Sequence, residues 1–341
     1  MKAKTLAATA FGLWLASGAV AQPISVSYSV PTVDRWMYPF GGQPGKEYVI
    51  PIFGAIEIPG FDDRDGQGLF GFTTSGQVPA GLPAARYRVV SAKLTLTVAV
   101  DNQFQYDPTF DSFRTVLQHS DPLYQADPDM GKPIEVFGVG YRNGWTAQTF
   151  GETTTFGGAP IVPPSEGARN CFSAIFDSNG VATDVSRQVR QRFDVTPMAT
   201  GQIANFAPGA WVPVGSKVVF DLNVCEPTSQ AYLRKNLADG QVRLMVSSLF
   251  PAQGGPDGGS GAYSAYYTRE SPLANGNTAK LDLVVVVSNG ADFNNDGFVN
   301  GDDYDLFASY FDQANPLADY NGDCFVNGDD YDAFAEAFDQ G

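Results

Sequence analysis

Between residues 22 and 290 the apolar positions recur mainly with period two. Leu94, Leu96, Val98 and Val100 alternate with Lys93, Thr95, Thr97 and Ala99. Val218, Phe220, Leu222 and Val224 alternate with Lys217, Asp221 and Asn223, and Val242, Leu244 and Val246 form a shorter case. Such alternation buries one face of a strand and wets the other. Ile134–Tyr141 is a further candidate strand, and Leu281–Val287 reads as a buried last one. Gly and Pro punctuate the gaps, as in Pro59-Gly60 and Gly254-Gly-Pro-Asp-Gly258. One short helix is expected near Thr183–Arg192, capped by Thr183 or Asp184. Many strands with few helices predict a mainly β fold, an antiparallel β-sandwich of jelly-roll type.

The period changes in the last fifty residues. Tyr304, Phe307, Ala308 and Phe311 fall at i, i+3, i+4 and i+7, and Tyr331, Phe334, Ala335 and Phe338 repeat the pattern 27 residues later. Each predicts a helix with one aromatic face. Ahead of each helix stands a run of oxygen-bearing residues. The first is Asp292, Asn294, Asp296, Asn300 and Asp303; the second is Asp319, Asn321, Asp323, Asn327 and Asp330. They occupy positions one, three, five, nine and twelve of a loop whose seventh residue, Phe298 or Phe325, offers its backbone carbonyl. Hard oxygen donors at this spacing wrap a calcium ion, so two ions are expected. Position twelve is Asp, whose shorter arm requires the following helix to come closer. Position six, where the chain turns sharply, is Gly297 in the first loop and Cys324 in the second.

Charge separates the same two regions. The chain carries −16, and residues 291–341 hold twelve Asp, one Glu and no Lys or Arg, or −13. The remaining 24 acidic and 21 basic residues give −3. Neither region has the basic footprint that a nucleic-acid partner requires. At the other end, Lys2 and Lys4 precede an apolar stretch from Leu6 to Val20 and a small-x-small site at Ala19-Val20-Ala21. This is the pattern of a signal peptide cut after Ala21. It is too short for a membrane span. The expected organisation is therefore 1–21 signal peptide, 22–290 β-sandwich and 291–341 tandem calcium module, in a protein secreted to the exterior or the cell surface.

Export also bears on the three cysteines. Under oxidising conditions Cys171 and Cys225, both in the large domain, are expected to pair, closing a loop of 54 residues worth about 4 kcal/mol. Cys324 is then left over. The alternative is that both remain free buried thiols.

The pattern Asp-x-Asn-x-Asp-Gly-x-Val-Asn-x-x-Asp at 292–303 resembles dockerin, the duplicated loop-helix module that binds cohesin domains. Its repeated Asn-Gly-Asp-Asp-Tyr-Asp is similar to tails of exported planctomycete-type proteins. The resemblance implies calcium binding and attachment to a cohesin-like or other surface partner. Where cellulosomal dockerins present Ser or Thr at positions ten and eleven, this chain presents Gly301-Asp302 and Gly328-Asp329. In the large domain, Arg88–Val98, Asp194-Val-Thr196 and Tyr267-Thr-Arg-Glu270 followed by Leu281-Asp-Leu283 resemble disaggregatase-related (DNRLRE-type) carbohydrate-binding sandwiches. That implies a polysaccharide ligand.

No catalytic constellation stands out. His119 is the only histidine, and Glu57, Glu135, Glu152, Glu166, Glu226 and Glu270 form no recognisable pair. Asp62-Asp-Arg-Asp65 reads either as a structural calcium loop or as exposed turn charge. Aromatic residues cluster at Trp36, Tyr38, Phe40, Tyr48 and Phe53, at Tyr141 and Trp145, and at Tyr263, Tyr266 and Tyr267, where rings would stack on sugars. The expected function is a non-catalytic glycan-binding or structural protein displayed through its tail. The alternative is an extracellular polysaccharide-degrading glycoside hydrolase or lyase carrying the same tail.

Overall fold

A computed structural model describes residues 23–41, 43–157, 166–294 and 296–340. The expected signal peptide lies outside the described residues. In chain order the strands are β1 (Ile24–Tyr28), β2 (Val33–Met37), β3 (Val49–Ile56), β4 (Arg64–Thr73), β5 (Tyr87–Thr97), β6 (Ile134–Tyr141) and β7 (Cys171–Phe176). There follow β8 (Ala182–Asp184), β9 (Ala199–Thr200), β10 (Lys217–Asp221), β11 (Gln241–Ser248), β12 (Pro251–Gly254), β13 (Ser264–Tyr267) and β14 (Lys280–Val287). Three α-helices complete the described chain: α1 (Pro227–Ala238), α2 (Gly301–Asp312) and α3 (Gly328–Gln340). The protein is mainly β. No helix among the described residues is long and apolar enough to cross a membrane.

Four strands form an antiparallel sheet in the order β1-β14-β5-β10. The period-two residues of β5, Leu94 and Leu96, stand opposite Phe220 and Val218 of β10, while Leu94 also faces Leu281 of β14. The second sheet runs β12-β3-β4-β11-β6-β7-β8, with β13, β2 and β9 attached to β3, β4 and β6. It is mixed, because β12 runs parallel to β3. One core draws on both sheets: Leu94, Leu96, Phe220 and Leu283 from the first meet Ile52, Phe70, Val136 and Leu244 from the second. Helix α1 covers one flank. Its Tyr232 hydroxyl accepts from Val139 N at 2.9 Å and donates to Arg243 O at 2.7 Å, stitching β6 to β11.

Two expectations about local structure fail. Residues 183–192 form the end of β8 and a series of turns, not a helix. Asp184 does cap, accepting from Ser186 N at 2.8 Å, but Arg192 takes a positive φ of 59° and the turn closes. The arginines of this stretch reach back to acids elsewhere: Arg190 to Asp63 and Glu166, Arg192 to Glu57 and Asp121. The helix forms later, at α1, where Pro227 occupies the first turn and Glu226 caps it through Ser229 N at 2.8 Å.

The expected Cys171–Cys225 bridge is also overturned. Cys225 is bonded to Cys324, with Cα atoms 5.3 Å apart, and Cys171 is a free buried thiol. Cys171 opens β7 facing inward, among Met37, Leu69, Phe156 and Met245, and burial pushes its thiol pKa up to about 12. Cys225 lies just before α1, where the acidic tail docks.

Candidate calcium centre and aromatic cleft

The 27-residue repeat folds as two loop-helix units packed on one small aromatic core. Phe307 of α2 and Phe334 of α3 stack at 4.1 Å with an interplanar angle of 7°. Tyr304 meets Tyr331 and Phe338, and Phe311 meets Tyr331. Phe293, at position two of the first loop, closes the cluster edge-on. The stripes read from the helical period are the faces in contact.

Each loop is organised by the same side chains in the same register. Asp303 accepts from Asn294 N and Asn300 N, both at 2.9 Å, and Asp330 accepts from Asn321 N at 3.0 Å and Asn327 N at 2.9 Å. Both position-twelve carboxylates are fully buried. Because each sits in the first turn of its helix, α2 and α3 begin close to the loops, as an Asp in place of Glu requires. Asp292 accepts from Asp296 N and Gly297 N at 3.0 Å; Asp319 accepts from Gly322 N at 2.8 Å and Cys324 N at 3.2 Å. Asn294 and Asn321, at position three, accept from Asp296 N and Asp323 N. Asn300 and Asn327 accept from the backbone at Asp302 and Asp329. Phe298 and Phe325, at position seven, turn their rings to solvent.

The donor set fits a hard divalent cation. One carboxylate oxygen from each of Asp319, Asp323 and Asp330 lies within 4.8 Å of the other two. Two ligands on opposite sides of a calcium ion, each at about 2.4 Å, are separated by about that distance. Burial raises the Asp319 carboxyl, an effect that the nearby Arg88 partly offsets. Cys324 at position six takes a φ of 70°, alongside 91° at Gly297, so the second loop makes the glycine turn with a side chain in place.

That side chain is the anchor of the tail. Besides the Cys225–Cys324 bond, Arg88 of β5 donates to Pro316 O at 2.7 Å and pairs with Asp319 at 3.2 Å. Arg234 of α1 donates to Asn321 O at 2.8 Å, and Gln230 Nε2 lies 3.4 Å from Gly322 O. Both arginines are mostly buried. The second loop, not the first, is thus held against α1 and β5. Sequence reasoning missed Arg88, Arg234 and Gln230. The one available signal was Cys324 itself, which interrupts an otherwise close repeat at the position where the turn calls for glycine.

Several aromatic residues singled out from the sequence converge on one cleft of about 220 Å³, lined by Trp36, Tyr38, Phe53, Phe61, Asp65 and Tyr263 among others. Trp36 and Tyr38 stack at 4.3 Å, Tyr38 meets Phe53 edge-on at 5.5 Å, and Phe53 meets Tyr263 at 5.4 Å. Phe40, largely exposed, packs between Tyr38 and Phe61. Asp65 is buried beside this cleft, and its Oδ2 receives no hydrogen bond. Desolvation lifts its carboxyl pKa to about 7 despite Arg169 nearby. The remaining aromatics go elsewhere. Tyr266 is fully buried in the main core, Tyr48 is exposed outside the cleft, and Tyr141 and Trp145 pack on Phe150.

The segment Asp62–Asp65 is neither a calcium loop nor exposed turn charge. All four residues are buried: Arg169 pairs with Asp62 at 2.7 Å, Arg190 with Asp63 at 3.0 Å, and Arg64 with Glu135 at 2.6 Å. The other glutamates singled out from the sequence are engaged likewise, Glu57 with Arg192, Glu152 and Glu270 with Arg269, and Glu166 with Arg190, while Glu226 caps α1. His119 is exposed, edge-on to Tyr124 at 4.7 Å. Compared with known proteins, the chain matches no family model and no curated protein.

Proposed function

We propose that this is a secreted, non-catalytic protein whose jelly-roll-type sandwich binds a polysaccharide, held to a cohesin-like or other surface partner by a dockerin-type tail that folds around two calcium ions. The observation that carries the reading is the repeated ligand register, in which Asp319, Asp323 and Asp330 converge while Asp303 and Asp330 hold equivalent places. Calcium would be held by Asp292, Asn294, Asp296, Asn300 and Asp303 with the Phe298 carbonyl, and by Asp319, Asn321, Asp323, Asn327 and Asp330 with the Phe325 carbonyl. The ions would supply four positive charges to a segment of −13, so binding and folding of the tail are linked.

The aromatic cleft supports the glycan part. Flat rings at Trp36, Tyr38 and Tyr263 offer apolar faces to a pyranose, and the unmet acceptor on Asp65 offers a partner for a sugar hydroxyl. The engagement by arginines or a helix cap of Glu57, Glu135, Glu152, Glu166, Glu226 and Glu270 favours binding over carboxylate-pair hydrolysis.

Calcium counted by equilibrium dialysis on the full chain tests the tail. Replacing Asp292, Asp303, Asp319 and Asp330 together by Ala is expected to lower the count by two and to abolish partner capture. An unchanged count overturns the reading. For the cleft, Trp36→Ala with Tyr38→Ala is expected to lower retention on immobilised polysaccharide at least tenfold. Retention equal to that of the unaltered chain removes the cleft from the proposal.

A further inference from the structure

The connection from β5 to β6 contains a second concentration of acid, away from the tail. Asp107, Asp111, Asp127 and Asp129 lie in this connection with one lysine, Lys132, whose ammonium pairs with Asp111 at 2.9 Å and also touches Asp127. Asp107 and Asp111 are buried, at 3% and 6% exposure. One carboxylate oxygen from each of Asp107, Asp111 and Asp129 lies within 4.8 Å of the other two.

The surrounding chain holds this arrangement from outside. Pro108 O accepts from Thr200 Oγ1 at 2.8 Å and Gln202 Nε2 at 3.0 Å, and Phe113 N donates to Asp194 at 2.9 Å. Gly131, at a φ of 105°, lets the chain pass close: a Cβ there would come within 3.0 Å of the Asp107 Cβ and of Gln105 O.

Internal donors do not meet the charge. Asp107 Oδ1 accepts from Thr109 N at 2.8 Å. The Thr109 hydroxyl lies 2.7 Å from Asp107 Oδ1 and 3.0 Å from Asp129 Oδ2, with one proton between them. Asp107 Oδ2 and Asp129 Oδ1 are both buried and receive no hydrogen bond. An orphaned carboxylate oxygen on a side chain 97% buried is costly unless a cation meets it. The other three-acid group among the described residues of the large domain, Asp34, Glu152 and Glu270, differs in having Arg269 paired to all three members.

We propose that Asp107, Asp111 and Asp129 form a third cation site, for a hard divalent ion of the calcium class, which pins the β5–β6 connection to the β domain. The oxygen-only donors, their separation and the buried orphan oxygens together point to that class.

Calcium counted by equilibrium dialysis on the full chain provides the test, with two sets of variants. Asp107→Asn with Asp129→Asn is expected to lower the count by one relative to the unaltered chain. The chain with Asp292, Asp303, Asp319 and Asp330 replaced by Ala keeps these residues, and is expected to retain one equivalent at millimolar calcium. It is also expected to resist proteolysis within 118–131 at least threefold longer with calcium than with chelator. No retained calcium in that variant overturns the proposal even if the Asn variant fails to fold, and an unchanged count in a folded Asn variant also overturns it. A failure of the tail reading appears separately, as an undiminished count in the Ala variant.

Discussion

Arg88 of β5 lies 3.2 Å from Asp319, so the residue at position one of the second loop answers to a guanidinium of the β domain. An arginine beside a carboxylate proposed to hold calcium would oppose the ion while it holds the loop in place. Its counterpart Asp292 has the Asn289 amide nearby, at 3.5 Å. Replacing Arg88 by Gln is therefore expected to tighten calcium binding at the second loop on the order of tenfold, as read by calorimetry on the full chain. Binding at the first loop should not change.

The Cys225–Cys324 bond spans 99 residues. A crosslink of that span is worth about 4.7 kcal/mol on the chain-entropy model. Cys324→Gly gives the second loop the turn residue found in the first and removes the bond. That variant is expected to bind calcium at both loops yet lose stability in denaturant, and its tail should be released sooner by protease. Peptide mapping without reduction should recover the 225–324 crosslink. A thiol reagent should find only Cys171, and only after unfolding.

Asp34 gives a pH signature. Burial lifts its carboxyl pKa to about 8; the backbone N–H and guanidinium of Arg269 pull downward, while Glu152 and Glu270 push further up. In the unfolded chain it titrates near its ordinary value. The group therefore stabilises the fold fully below pH about 4, and this contribution is lost as pH rises through about 8, at no more than roughly 1.4 kcal/mol per pH unit. Asp34→Asn should flatten that slope in denaturant titrations made between pH 5 and 8.

Gly254 takes a φ of 72°, where β12 meets β3 in parallel. A Cβ at this position would come within 2.1 Å of Ile56 O. Gly254→Ala is expected to cost roughly 2–3 kcal/mol, by backbone strain and a forced shift of β3. Chemical denaturation measures it directly.

Where one periodicity held without interruption, the elements were readable from residues alone. Ile134–Tyr141 is β6 as expected, Leu281–Val287 lies within β14, and the Phe307 and Phe334 stripes meet face to face. What escaped was decided by long-range partners. Thr183–Arg192 has capping residues, but its arginines are drawn to Asp63, Glu57 and Asp121, and the chain turns instead. Cys171 and Cys225 share a domain without sharing a location, because β7 buries the first while the second waits beside α1. The ligand pattern of the tail was visible as a repeat. Its attachment through Arg88 and Arg234 was not, since neither arginine lies in a pattern of its own.

The first strand pairs with the last: Ile24 stands opposite Val285, and Tyr28 opposite Leu281. β14 also separates β1 from β5, so the smaller sheet has no continuous centre until residues 280–287 have been made. During synthesis β1 must wait for its partner through more than two hundred residues of further growth. Loop closure over that distance is slow compared with local pairing. A chain truncated before β14 thus leaves β1 without its partner and β5 without its longest antiparallel neighbour.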